Sequence, residues 1–121
     1  MNIGQLINIV KKHPDYEKIG MILCHNGVVR GTSLSGRKTS GLKVTADHNR
    51  LNQVINRYKK KTGIVEILVE INENKNLSPG EDVMLLVVAG DIRENVIPVL
   101  KETLNAIKTN VIQKTEFYCN E

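Results

Sequence analysis

Residues 77–93 read Leu-Ser-Pro-Gly-Glu-Asp-Val-Met-Leu-Leu-Val-Val-Ala-Gly-Asp-Ile-Arg, and this stretch decides the fold class. Pro79-Gly80 is a turn signal, and the run from Asp82 to Ala89 behind it is apolar and of strand length. It is the most strongly apolar strand of the chain, with Val83, Leu85, Leu86, Val87 and Val88, and is therefore expected to be central. Gly90-Asp91 ends it, and from Arg93 to about Asn110 the apolar residues recur at helical spacing. On this helix Ile97, Leu100, Leu104, Ile107 and Val111 are expected to form one stripe, with Lys108 at its edge and Arg93 near its centre. Pro98 suits a first turn and argues for a start nearer Asn95. Lys114 lies just past the helix end. Cations placed where a strand gives way to a helix point to an anionic ligand.

On the N-terminal side, Ile3, Leu6, Ile7 and Val10 predict a short helix that stops at His13-Pro14. Ile19 to Cys24 is a strand. Asn26-Gly27 before Val28-Val29 is either a hairpin turn or part of one long strand in which Gly27 permits close backbone approach. Residues 30–41 are polar, basic and glycine-rich and are expected to form a mobile loop. They lack the strand–Gly-x-x-x-x-Gly-Lys-Ser/Thr–helix order of a P-loop, which is excluded. Leu42 to Ala46 is a short strand, and Asp47 caps a helix through Tyr58 that ends at Thr62-Gly63. Ile64 to Ile71 is a strand, Asn72 to Asn76 a polar turn region, and Gln113 to Tyr118 a terminal strand. The order α-β-β-α-β-β-α-β predicts an α+β fold, a mixed and largely antiparallel sheet packed by helices, in one domain over residues 1–121.

Of the 121 residues, 40% are hydrophobic and 25% charged, an ordinary balance for a soluble globular chain. No apolar run approaches the roughly 20 residues of a membrane span, and no basic segment followed by an apolar one marks a signal peptide. Cys24 and Cys119 stand alone, as expected of a reduced, cytoplasmic protein. The net charge of +4 would suit nucleic acid, but one Phe, three Tyr and no Trp leave few platforms for stacking bases. The Arg57-Tyr-Lys-Lys-Lys61 run reads as the solvated end of a helix. His13, His25 and His48 have no partners at the spacing of a triad or a metal site, and no cofactor is implied. Glu66, Glu70, Glu81 and Asp82 read as solvated strand-edge and turn positions. One spacing carries a geometric consequence. Arg93 and Lys108 are separated by roughly 20 Å along a single helix, so they can meet on one small ligand only across a subunit interface.

Several anchors are collinear with one family. Gly20-Met-Ile-Leu-Cys-His-Asn-Gly-Val-Val-Arg30 resembles the first strand of the large, catalytic subunit of molybdopterin synthase. Leu77-Ser-Pro-Gly80 is similar to that family's Leu-x-Pro-Gly turn, and Arg93 stands where the family's last long helix opens with arginine. Lys108-Thr109 resembles the catalytic Lys-Thr motif, and Lys114 the second lysine, one residue closer than usual. The resemblance implies a homodimer at the core of a heterotetramer, with a ubiquitin-like sulfur-carrier small subunit ending in a Gly-Gly thiocarboxylate. The reaction it implies is insertion of two sulfurs into cyclic pyranopterin monophosphate, a phosphorylated pterin, to give the dithiolene of molybdopterin. Arg30 and Arg93 would bind substrate, and Lys108 and Lys114 would be catalytic. The sequence departs from the family pattern at Ile92 (usually His), His25 (usually aromatic), Ile112-Gln113 (usually an aromatic pair) and Thr45-Ala46-Asp47-His48 (usually Glu-His-Tyr). With the chain ending at Glu121, a tail that helps build the pocket is also expected to be absent. These departures support an alternative, a non-catalytic dimeric relative acting as a binding or regulatory module.

Overall fold

The computed structural model describes residues 1–119. Its elements follow the order α1 (Ile3–Lys11), β1 (Met21–Val28), β2 (Thr39–Ala46), α2 (His48–Lys59), β3 (Ile64–Ile71), β4 (Asp82–Gly90), α3 (Arg93–Asn110) and β5 (Ile112–Tyr118), with a 3-10 turn at Tyr16–Lys18. β4 lies between β1 and β3, antiparallel to both, while β2 and β5 form a separate antiparallel pair. The α+β class stands, and the expected mixed sheet is resolved into two antiparallel ones. The Leu42–Leu77 bridge ties the second sheet to the turn that precedes β4.

The two-faced character of β4 divides the core. Met84, Leu86 and Val88 face α2 and α3, where they meet Leu51, Val54, Tyr58, Val96, Val99 and Ile107. Leu85, Val87 and Ala89 face the other way and pack with Leu6 and Val10 of α1. Asn2 opens α1 by accepting hydrogen bonds from the amides of Gly4 and Gln5, and Asp47 opens α2 by accepting from the Arg50 amide.

Three readings change. Residues 26–27 continue β1 and pair with Leu85 and Met84, so no hairpin turn forms there. Of the 30–41 segment, residues 30–38 form a hydrogen-bonded turn and residues 39–41 already belong to β2, so it is not an open loop. The Ser33 amide donates to the Arg37 carbonyl, the Arg37 amide to Ser33 Oγ, and Thr39 Oγ1 to the Arg30 carbonyl. Glu66 is not a solvated edge residue. Its side chain is 16% exposed and is clasped between Lys59 Nζ at 3.0 Å and His13 Nε2 at 3.8 Å, joining the C-terminal ends of α1 and α2.

The buried stripe of α3 also differs in phase. Val96, Val99, Thr103 and Ile107 are buried, Leu100 and Leu104 are partly buried beside them, and Ile97 is 49% exposed. Two apolar stripes overlap in this sequence, and the one rich in small β-branched residues faces the sheet because it lets the helix approach more closely. The helix begins at Arg93 despite Pro98, which falls on its exposed side. The hydrogen bond that proline forfeits would lie toward solvent, where water replaces it. Arg93 is accordingly not at the centre of a buried stripe. Its side chain is 76% exposed and pairs with Glu94 at 3.2 Å.

Candidate functional site

The two ends of α3 are built differently. At the N-terminal end three chain segments converge with almost no clearance. A Cβ on Gly20 would lie 2.1 Å from the Asp91 carbonyl oxygen, one on Gly90 2.6 Å from the Gly63 carbonyl oxygen, and one on Gly63 2.2 Å from Asp91 Oδ1. Gly63 also has φ +77, a conformation that side chains disfavour. Asp91 Oδ1 accepts from Asn95 Nδ2 at 2.9 Å and from the Ile92 amide at 2.7 Å. The Asn95 hydrogen bond, then that of the Ile92 amide, hold its carboxyl below the usual aspartate range. An open cleft beside this junction is lined by Met21, Ile92, Arg93 and Glu94.

At the other end the backbone is anchored while the side chains are left free. The Asp47 amide donates to the Val111 carbonyl at 3.0 Å, and Arg50 Nη1 donates to the Asn110 carbonyl at 3.3 Å. These bonds satisfy carbonyls that a helix end leaves open. Lys108 is exposed here and, among the described residues, has no carboxylate within ion-pair distance. α3 starts beside Met21, the partner of Gly90, and folds back over β4, so it runs in the direction of β1. Its rise of roughly 20 Å from Arg93 to Lys108 carries Lys108 over the second half of β1. His25 lies there. Burial first, and the Lys108 ammonium second, push the His25 imidazole below the ordinary histidine range.

The four sequence-derived site residues therefore separate. Lys108 is exposed, outside the buried stripe of Val96, Val99, Thr103 and Ile107, and Arg30 follows the end of β1 toward which α3 runs, its guanidinium 3.5 Å from the Ser33 carbonyl. Arg93 is at the opposite end of the helix. Lys114 is on β5 opposite Val44, and its ammonium is held by Glu116 at 3.3 Å. Among the described residues the four make no hydrogen bond with one another in one chain. Sequence reading noted His25 as a departure but did not place it on the α3 side of β1. The sole local signal was its parity with Met21 and Leu23. Among the described residues, no cluster of three or more His, Cys, Asp or Glu side chains could hold a metal ion, and no helix is long and apolar enough to cross a membrane.

The family model described as MoaE protein matches residues 1–110 of this chain. No curated protein matches it in sequence. Among solved structures, the chain is similar to molybdopterin synthase from Staphylococcus aureus, with 22% identity and a TM-score of 0.73 over 87% of this chain and 79% of that one. It is also similar to molybdopterin cofactor biosynthesis protein E from Burkholderia multivorans, with 16% identity and a TM-score of 0.77 over 98% and 82%. A third likeness is to the complex of subunits 1 and 2 of molybdopterin-converting factor from Helicobacter pylori, with 17% identity and a TM-score of 0.71 over 100% and 86%. At these identities the structural likeness is one of fold.

Proposed function

The chain belongs to the MoaE protein family, and on that premise we propose that it serves molybdenum cofactor biosynthesis as the large subunit of a molybdopterin synthase. In this reading it is a sulfurtransferase of the cytoplasm. It accepts sulfur from the thiocarboxylated Gly-Gly tail of a ubiquitin-like small subunit and places two sulfurs on cyclic pyranopterin monophosphate. The observation that carries the reading is Lys108, an ammonium without a carboxylate partner among the described residues, on an anchored helix end at the position of the family's Lys-Thr motif.

Each residue has a role suited to its chemistry. Arg30 and Arg93 hold the substrate phosphate and the terminal carboxylate of the carrier through charge-assisted hydrogen bonds. Lys108 transfers a proton or acts as nucleophile once neighbouring positive charge favours its neutral amine. Lys114 assists after exchanging Glu116 for the anionic substrate. Because Arg93 and Lys108 occupy opposite ends of one helix, a shared substrate requires the Arg93 of a second copy, hence a homodimer at the core of a heterotetramer.

Mixed dimers test both claims. Lys108→Ala and Arg93→Ala homodimers are expected to be nearly inactive with thiocarboxylated small subunit and pterin substrate. Co-folding the two in equal amounts should restore about a quarter of wild-type dithiolene formation, since half the dimers then carry one intact shared site. No restoration would place both residues in one chain's site or remove Arg93 from it. Wild-type chain that binds the carrier tail and yields no product would instead favour the non-catalytic module, to which the Lys114–Glu116 pairing is congenial.

A further inference from the structure

The turn that carries Arg30 is fastened to the last strand at three points. Thr39, where the turn enters β2, pairs with Tyr118 of β5. The Cys119 amide donates to the Lys38 carbonyl at 3.2 Å. One residue nearer the tip, the Arg37 guanidinium lies over the Tyr118 ring, 4.0 Å from its centroid. There the cation meets the electron-rich face of the ring. Among the described residues no carboxylate lies within ion-pair distance of Arg37, so the ring is the partner its charge has. The first two attachments are made by backbone, and the third depends on these two side chains.

From Arg37 the restraint passes inward to Arg30. The Ser33 amide donates to the Arg37 carbonyl at 2.8 Å, and the Arg37 amide donates to Ser33 Oγ at 3.1 Å. Thr32 bridges Lys38 beside them. The Arg30 guanidinium then reaches the Ser33 carbonyl at 3.5 Å, while the Arg30 carbonyl accepts from Thr39 Oγ1 at 2.8 Å. Ser33 and Thr39 are buried in this arrangement, and Arg30 and Arg37 are exposed. A Cβ on Gly31 or Gly36 would meet no atom within 4 Å, so these parts of the turn lean on nothing else.

We propose that Arg37 and Tyr118 are positioning residues for Arg30: the stacked pair latches the turn to β5 and thereby sets where the Arg30 guanidinium meets its anion. The idea rests on the assignment of Arg30 to substrate binding, but the latch itself can be tested without the reaction. A latched turn presents the guanidinium in one place. An unlatched turn does so for only part of the time, and the apparent affinity falls by that fraction. Lys108 is on a different element, so the effect falls on KM and spares kcat.

Two arms keep the latch and the reaction distinguishable. In the first, NMR follows amide hydrogen exchange in the isolated chain. Tyr118→Leu and Arg37→Gln should each speed exchange at positions 33 and 37 by about 2- to 5-fold, the worth of an exposed cation–π contact, and leave the β4 amides as in wild type. Arg37→Gln alters only an exposed turn residue and covers the case in which Tyr118→Leu disturbs β5 itself. Unchanged exchange at both positions in Arg37→Gln overturns the proposal, whatever the activity. In the second arm, sulfur transfer is assayed with thiocarboxylated small subunit while the pterin concentration is varied. Each variant should raise KM for the pterin by about 2- to 5-fold at unchanged kcat. Tyr118→Phe, which keeps the ring face, should recover the wild-type KM. The double variant should be no worse than either single one, because both break the same contact. Additive effects would put Arg37 on the substrate itself and overturn the proposal, as would an unchanged KM or a loss confined to kcat. Should no form of the chain make product, the reaction assignment fails and the exchange arm alone decides the latch.

Discussion

The two ends of α3 are held by opposite means. At Arg93 the backbone is closed in by Gly20, Gly63 and Gly90, and the charges are spent locally, Arg93 on Glu94 and Asp91 on the helix amide and Asn95. At Lys108 two hydrogen bonds from Asp47 and Arg50 fix the helix end, while the lysine itself has, among the described residues, no carboxylate within ion-pair distance. One end tolerates no added atom and performs no evident chemistry within the chain. The other leaves its side chains open to solvent and carries Lys108, the residue proposed to react. Rigidity is thus supplied at a distance from the place where it is used.

Substitutions at each end should separate stability from activity. The largest effect is expected from Lys108→Ala, which should reduce dithiolene formation by about 10²- to 10⁴-fold while the denaturant midpoint stays near wild type. Gly20→Ala should do the reverse, because its Cβ would lie 2.1 Å from a backbone oxygen. A loss of about 3 kcal/mol in chemical unfolding is expected, and a loss below 0.5 would show that this junction can yield. Between the ends, Thr103 is fully buried and its hydroxyl has no hydrogen-bond partner among the described residues. Thr103→Val should raise stability by about 1 kcal/mol and leave activity unchanged.

The smallest effects are pH-dependent. His25 titrates below its ordinary value of 6.5, so the folded state binds its proton less readily than the unfolded chain. Its contribution is complete above that value and is lost as pH falls toward the folded midpoint. Asp91, also shifted downward, contributes above its ordinary 3.8 and loses that contribution as pH falls through its folded value. Stability profiles of His25→Phe and Asp91→Asn should each flatten in the corresponding window. A profile that flattens in the other window would reverse the assignment.

Where burial is dictated locally, the sequence was sufficient. β3, β4 and α3 span the residues that apolar alternation, the most strongly apolar run and helical spacing mark out. The phase of α3 was not legible. Ile97 and Leu100 outrank Val96 and Thr103 in hydrophobicity, and only the closeness of the sheet decides against them. Residues 30–41 look disordered by composition, yet short bonds among Ser33, Arg37 and Thr39 close the turn. Lys108 was singled out because it sits in register with distant anchors. His25 takes its place on the α3 side of the sheet through its parity with Met21 and Leu23 on β1.

The clasp on Glu66 reaches beyond the two helices it joins. β3 is an outer strand, and outer strands invite other chains to pair with their open amides and carbonyls. Here the ladder is irregular between Ile64 and Glu66, and a carboxylate, an ammonium and an imidazole crowd the irregularity. A foreign strand would have to displace all three before its first hydrogen bond formed. The clasp thus sets charge on the β3 border of the sheet, whose other border is β1.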